Sequence, residues 1–122
     1  MAKKILIADD EAIVRDLIKS SIESEGYEIF EAKNGLDALS KAKELVPDLI
    51  ILDIMMPGKI GYQVCSDLKS DPATKQISII FLTGRSSSLS MEAVQESGGD
   101  DFLTKPFNPH ELKARIRKVL RA

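Results

Sequence analysis

Apolar residues in this chain come in two rhythms that alternate from end to end. Short continuous runs, KILIAD (4–9), YEIFEA (27–32), DLIILD (48–53), SIIFLT (78–83) and DFLTK (101–105), have the length and the β-branched and aromatic content of strands. Between them apolar positions recur at helical spacing over 12–25, 35–45, about 60–70, about 88–97 and 109–121. The punctuation agrees with that division. Gly26 closes the first helical stretch, Pro47 stops the second, and Gly98 with Gly99 closes the fourth. The last stretch opens with Asn108 as N-cap, Pro109 at the first helical position and Glu111 at N3.

Five strand–helix units whose strands are apolar on both sides call for a parallel sheet covered by helices on both faces and joined by right-handed crossovers. The expected architecture is α/β, a flavodoxin-like doubly wound (βα)5 fold with strand order 2-1-3-4-5. Neither a linker nor a low-complexity tract interrupts the pattern, so residues 1–122 are expected to form one domain.

That strand order has a chemical consequence. The first strand ends at Asp9 and Asp10, the third at Asp53, the fourth at Thr83 and the fifth at Lys105, and all of them emerge on one rim of the sheet. A single acid at a strand end is ordinarily a turn-former. Three converging carboxylates are another matter, because their repulsion raises pKa values and destabilises the fold unless cations intervene. A hard divalent ion such as Mg²⁺ suits carboxylate and carbonyl oxygens, and the compact ammonium of Lys105 can pair with Asp53 or with an anion replacing it. Thr83 adds a hydroxyl donor. Together these groups meet the requirements for receiving a phosphoryl group.

Composition narrows the setting. The 122 residues are 43% hydrophobic and 30% charged, with a net charge of -2 that gives no general attraction to nucleic acid or anionic membrane. Charge is nevertheless uneven: residues 1–57 carry seven Lys/Arg against twelve Asp/Glu, and residues 62–122 nine against seven. No apolar run approaches the roughly 20 residues of a membrane span, and the single cysteine, Cys65, cannot form an internal disulfide. A reducing, cytoplasmic location is expected, without membrane association. Cys65 falls with Ile60, Val64 and Leu68 on an apolar helical stripe and reads as core filler. His110, the only histidine, has no companion ligands. The basic row Lys113, Arg115, Arg117, Lys118 and Arg121 reads as a solvated helix face favoured by the helix dipole rather than as a nucleic-acid site.

The motifs ILIADDE, LIILDIMMPG, FLTG and DDFLTKPF resemble, in order and spacing, those of the CheY-like receiver domains of two-component response regulators. The resemblance covers essentially the whole chain, including the 30 residues from Asp53 to Thr83 and the 52 from Asp53 to Lys105. It implies a signalling switch rather than a turnover enzyme, one that catalyses its own phosphorylation and slow dephosphorylation. Asp53 would be the phosphoacceptor, supplied by the phosphohistidine of a sensor histidine kinase or phosphotransfer protein. Asp10, Asp53 and the main-chain carbonyl of Met55 would bind Mg²⁺ directly, with Asp9 acting through water. Lys105 would contact the phosphoryl oxygens and be joined to Pro106 by a cis bond. Thr83 and Phe102 would form the switch, which alters the face built from the fourth helix and the fifth strand and helix.

Several positions depart from the commonest family pattern. Phe102 stands where Tyr is frequent, and Gly84 where Ala is common, which leaves an open approach to Asp53. Met55 and Arg85 occupy the variable positions that tune water access, and Lys59 and Ile60 replace an acidic turn. Asp101, Glu111 and Arg115 resemble residues with which transcription-factor receivers form weak or phosphorylation-dependent homodimers, while Met91 replaces their usual basic partner. The downstream target is not legible, and the sequence leaves open a stand-alone switch or a piece of a longer regulator. Two other classes compete. A haloacid-dehalogenase-like phosphohydrolase needs a second acid two residues after the nucleophile, where this chain has Met55. A flavin- or nucleotide-binding module needs a glycine- or hydroxyl-rich loop after the first strand, where this chain has Asp9, Asp10 and Glu11.

Overall fold

The computed structural model describes residues 2–56, 61–84 and 91–121. The strand-like runs become β1 (Lys4–Ala8), β2 (Glu28–Ala32), β3 (Leu49–Asp53), β4 (Ser78–Thr83) and β5 (Asp101–Thr104). The helical stretches become α1 (Ala12–Ile22), α2 (Gly35–Leu45), α3 (Gly61–Lys69), α4 (Met91–Ser97) and α5 (Pro109–Arg121). All strand pairings are parallel, in the expected order β2-β1-β3-β4-β5.

The strands alternate which face each residue serves, and both faces are buried, which is why they read as continuous apolar runs. Leu6, Ala8, Ile50, Leu52 and Phe81 pack against Ala38 and Ala42 of α2, Val64, Cys65 and Leu68 of α3, and Val94 of α4. On the opposite face Ile5, Ile7, Leu49, Ile51, Ile80 and Leu82 meet Ile18 and Ile22 of α1 and Leu112 and Ile116 of α5. A buried Leu or Ile side chain contributes about 1.5–3 kcal/mol, so the two layers fix the strand ends firmly. The Cys65 thiol is buried in the first layer, 3.0 Å from the Ser97 carbonyl, and burial pushes its pKa up to about 11. Such a thiol is inert, as a core filler should be.

Helix ends differ from the sequence reading in small, physical ways. The first helical stretch is α-helical only to Ile22, then tightens into a 3-10 turn over Glu23–Glu25 before Gly26 takes a left-handed φ of 82°. α2 ends at Leu45, two residues before Pro47, as expected. The chain has already turned at Val46, whose φ is 43° and whose N–H still donates to the Ala42 carbonyl at 2.9 Å. The start of α2 carries a reciprocal cap that the sequence reading missed: Asn34 Oδ1 accepts the Asp37 N–H at 2.8 Å, and Asp37 Oδ2 accepts the Lys33 N–H at 3.1 Å. Asn108 caps α5 as expected, accepting the His110 N–H at 2.7 Å. Helix α4 is described from Met91; residues 88–90 of its expected span, Lys59, Ile60 and Arg85 lie outside the described residues, as does the side chain of Met91.

β1 and β3 are neighbours, with Ala8 opposite Leu52, yet their chains leave toward opposite faces, β1 into α1 and β3 into α3. The crevice at their carboxyl ends is the topological switch point, where this class of sheet places its ligands.

Candidate functional site

Asp9 directly follows β1, its N–H donating to the Ala32 carbonyl of β2 at 3.2 Å, and Asp53 is the last residue of β3. Asp9 is wholly buried and Asp53 nearly so, whereas Asp10 is exposed. One carboxylate oxygen from each of the three lies within 4.8 Å of the others. The cation arrives from β5: the Lys105 N–H donates to the Thr83 carbonyl at 2.7 Å, and the bond to Pro106 is cis. The Lys105 ammonium donates to Asp9 Oδ2 at 2.7 Å and to Asp53 Oδ2 at 3.2 Å, and stands 3.9 Å from Glu11 Oε1. The sequence reading paired this lysine with Asp53. The geometry corrects the emphasis, since Asp9 is the closer partner. The second oxygens are held by main chain, Asp9 Oδ1 by the Glu11 N–H at 2.9 Å and Asp53 Oδ1 by the Met55 N–H at 3.2 Å.

One ammonium facing three carboxylates leaves the cluster under-compensated. Burial raises the pKa of Asp53, the charge of Asp9 raises it further, and the charge and hydrogen bond of Lys105 and the Met55 N–H only partly oppose this. For Lys105 burial pulls the other way, but the hydrogen bond to Asp9 and the charges of Asp53 and Asp9 outweigh it and raise its pKa. The two directions agree if Lys105 gives most of its charge to Asp9 and Asp53 is left in need of a second cation. The donor set fits that cation: hard carboxylate oxygens gathered at one point, one of them on exposed Asp10, with no soft or nitrogen ligand among them.

An acid whose folded pKa lies above its ordinary value costs the native state stability as pH rises past that value, near 3.8, and the cost is complete above the folded pKa. In chelator, Asp53→Asn is therefore expected to be more stable than the native protein at neutral pH, by about 1 kcal/mol or a few degrees in Tm. The advantage vanishes in acid, where the native carboxyl is itself neutral. Urea unfolding across that range measures it, and equal stability at neutral pH would contradict the electrostatic picture.

The remaining expected positions lie on the neighbouring strands β4 and β5 and in the segments that follow β3, β4 and β5. Thr83 ends β4, one residue past Leu82, which pairs with Asp53; its buried hydroxyl donates to the Gly84 carbonyl at 3.3 Å. Among the described residues nothing lies within 4 Å of where a Gly84 side chain would begin. Phe102 lies opposite Phe81 and is half-buried against the α2–α4 layer. Met55 exposes its side chain and offers main chain to the site. Exposed His110 stands apart.

Asp101 is buried and satisfied within its own chain, accepting the Phe102 N–H at 2.8 Å and Arg115 Nη1 at 2.6 Å. Arg117 similarly pairs with Glu25 at 2.8 Å. The basic row of α5 is thus not a uniformly solvated face, because two of its arginines hold acids of the same chain.

Gly61 belongs to the site although the sequence reading passed it over. Its N–H donates to the Ile54 carbonyl at 2.8 Å, and a Cβ there would fall 2.8 Å from both the Asp53 carbonyl oxygen and the Ile54 Cα. Only glycine lets α3 start this close to the segment that carries Asp53.

A doubly wound parallel sheet in the order β2-β1-β3-β4-β5, with an acidic pocket at its switch point and a lysine reaching in from β5, is the architecture of a receiver domain. The family model for the response regulator receiver domain matches residues 5–117, and the chain belongs to that family. It is similar to the phosphate regulon transcriptional regulatory protein PhoB of Pseudomonas aeruginosa, 44% identical over 99% of this chain and 53% of that protein. Among solved structures it resembles a response regulator from Chloroflexus aurantiacus, 33% identical with a TM-score of 0.93 and both chains covered in full. It also resembles the chemotaxis response regulator CheY4 of Vibrio cholerae, 29% identical with a TM-score of 0.89, covering 98% of this chain and 99% of that one. The chain spans about half the length of the curated relatives it matches. No helix among the described residues is long and apolar enough to cross a membrane.

Proposed function

We propose that this chain works in the cytoplasm as a phosphoacceptor, in which Asp53 takes a phosphoryl group from a phosphohistidine on a sensor kinase or phosphotransfer protein. The observation that carries the reading is the single ammonium of Lys105 shared between buried Asp9 and Asp53, a cluster that remains one cation short.

Asp53 is the nucleophile. Met55 N–H and Lys105 hold its two oxygens, while burial and the neighbouring Asp9 keep the carboxylate poorly stabilised and therefore reactive. A phosphorus–oxygen bond to Asp53 forms as the phosphorus–nitrogen bond breaks, and the electron pair leaves with the imidazole. Lys105 then turns from the lost carboxylate charge to the phosphoryl oxygens, and Thr83 supplies a hydroxyl donor to them. Asp9, Asp10, Asp53 and the Met55 carbonyl would hold Mg²⁺, which neutralises charge on the transferring group. As Thr83 turns toward the phosphoryl group, Phe102 repacks, and the face of α4, β5 and α5 changes for a downstream target or a homodimer. Met55 in place of a general acid leaves hydrolysis of the aspartyl phosphate slow.

The partner must bring its histidine to the rim. Ile13 at the start of α1, Leu36 at the start of α2 and Met55 after β3 are 82%, 61% and 74% exposed, and each follows the carboxyl end of a strand. Large apolar side chains so placed suit an apolar partner surface that excludes water from the transfer. The test is intact-mass spectrometry after incubation with acetyl phosphate. One phosphoryl group is expected to add when Mg²⁺ is present and none in chelator; no adduct under either condition would defeat the proposal.

A further inference from the structure

The proposed site depends on where the Asp9–Asp10 peptide is held, and a residue outside the acidic cluster holds it. β1 ends at Ala8, so the Asp9 carbonyl has no place in the strand ladder. Arg15, on the first turns of α1, takes it: Nη1 donates to the Asp9 carbonyl oxygen at 2.7 Å, and Nε donates to Glu31 Oε1 at 3.1 Å. Glu31 is itself anchored, its carboxylate 3.9 Å from the Lys19 ammonium and its carbonyl bonded to Lys41 Nζ. Both main-chain groups of Asp9 are therefore tied to the end of β2. The N–H goes to the Ala32 carbonyl directly, and the carbonyl reaches Glu31 through Arg15. The guanidinium is largely buried, its side chain 18% exposed, so this is a packed fork and not a loose surface pair.

Asp10 gains most from this arrangement. Among the described residues no hydrogen bond or ion pair holds its exposed carboxylate, so the peptide plane before it sets its direction. We infer that Arg15 is a positioning residue for the cation site, fixing the Asp9–Asp10 peptide so that the Asp10 carboxylate stays within reach of Asp9 and Asp53. The inference rests on the proposed function, in which those three acids share a divalent cation. Groups that orient metal ligands without touching the metal typically govern affinity tenfold or more.

Sign separates this role from simple charge. Arg15 is a cation beside an anionic site, so removing it should tighten Mg²⁺ binding if only Coulomb attraction mattered. Positioning demands the opposite. The experiment is an NMR titration of the native protein, Arg15→Ala and Arg15→Lys with magnesium chloride, following the Asp9, Asp10 and Glu11 amides. About tenfold weaker binding is expected for Arg15→Ala, and a clear weakening persists in Arg15→Lys, which keeps the charge but replaces the planar fork, with separate nitrogens for Asp9 and Glu31, by a single nitrogen. The Asp10 amide is also expected to shift in the metal-free spectra of both variants while signals from the sheet core stay in place. Binding by Arg15→Ala that is unchanged or tighter would overturn the inference, as would full recovery in Arg15→Lys. If Arg15→Ala does not fold, Arg15→Lys alone decides. Failure of the native protein to bind Mg²⁺ would instead remove the proposed function.

Discussion

Lys105→Met is expected to destabilise the metal-free protein by about 2–3 kcal/mol at neutral pH, because it leaves wholly buried Asp9 and nearly buried Asp53 facing each other without their shared cation. Removing one partner of a buried pair commonly costs about 3–5 kcal/mol, and the lower figure allows for the 22% exposure of the lysine side chain. The pH dependence is specific. With its folded pKa raised, Lys105 contributes its full stability below its ordinary value of 10.5 and loses it only as pH climbs through the higher folded value. Native and variant should therefore stay far apart at neutral pH and converge in strong alkali. They should also converge in acid, where the two carboxyls become neutral. Added Mg²⁺ should narrow the gap, a second cation replacing the first. Urea unfolding in chelator and in Mg²⁺ measures all of this, and an undiminished midpoint for Lys105→Met would show that the ammonium does not hold the cluster together.

Gly61→Ala should fail for a different reason. Alanine is the better helix former by about 1 kcal/mol, so on propensity alone the change at the first residue of α3 would be neutral or helpful. The new Cβ, however, would stand 2.8 Å from two backbone atoms, the Asp53 carbonyl oxygen and the Ile54 Cα, and neither can swing aside as a side chain could. Either α3 or the end of β3 must move. A net loss of about 2 kcal/mol is expected, together with phosphorylation by acetyl phosphate slowed on the order of a hundredfold, because Asp53 is carried on the displaced segment. Thermal melts and the rate of adduct formation test the two halves separately. A variant as stable and as reactive as the native protein would mean that the close approach of α3 has no part in aligning Asp53.

The sequence made the strand order and the meeting of Asp9, Asp10, Asp53 and Lys105 legible because both follow from periodicity. Strands buried on two faces must be covered by helices, and the covering order brings particular strand ends to one rim. Distances are not periodic, so the preference of Lys105 for Asp9 could not be read from a string of residues. Arg15 was missed for a related reason. On the sequence it is one more charged residue of an amphipathic helix, and its partner Glu31 lies 16 residues away on another strand. Asp101 with Arg115 shows the same limit, since their resemblance to dimer residues gave no sign that they bond within one chain. Gly61 did leave a signal, a second glycine three residues after Gly58, but a glycine that permits a turn and one that permits a close approach look alike until the neighbouring strand is in view. Val46 is the converse, a β-branched residue in a left-handed turn that propensity alone argues against.

Under the proposed function Asp53, and not its acidic neighbours, receives phosphorus. Incubating the native protein with phosphoramidate and Mg²⁺, trapping the acyl phosphate by borohydride reduction and mapping the peptides by mass tests it directly. A reduced residue at position 53 alone is expected, lost when chelator replaces the metal. Label on Asp9 or Asp10, or label on Asp53 that is indifferent to the metal, would contradict it.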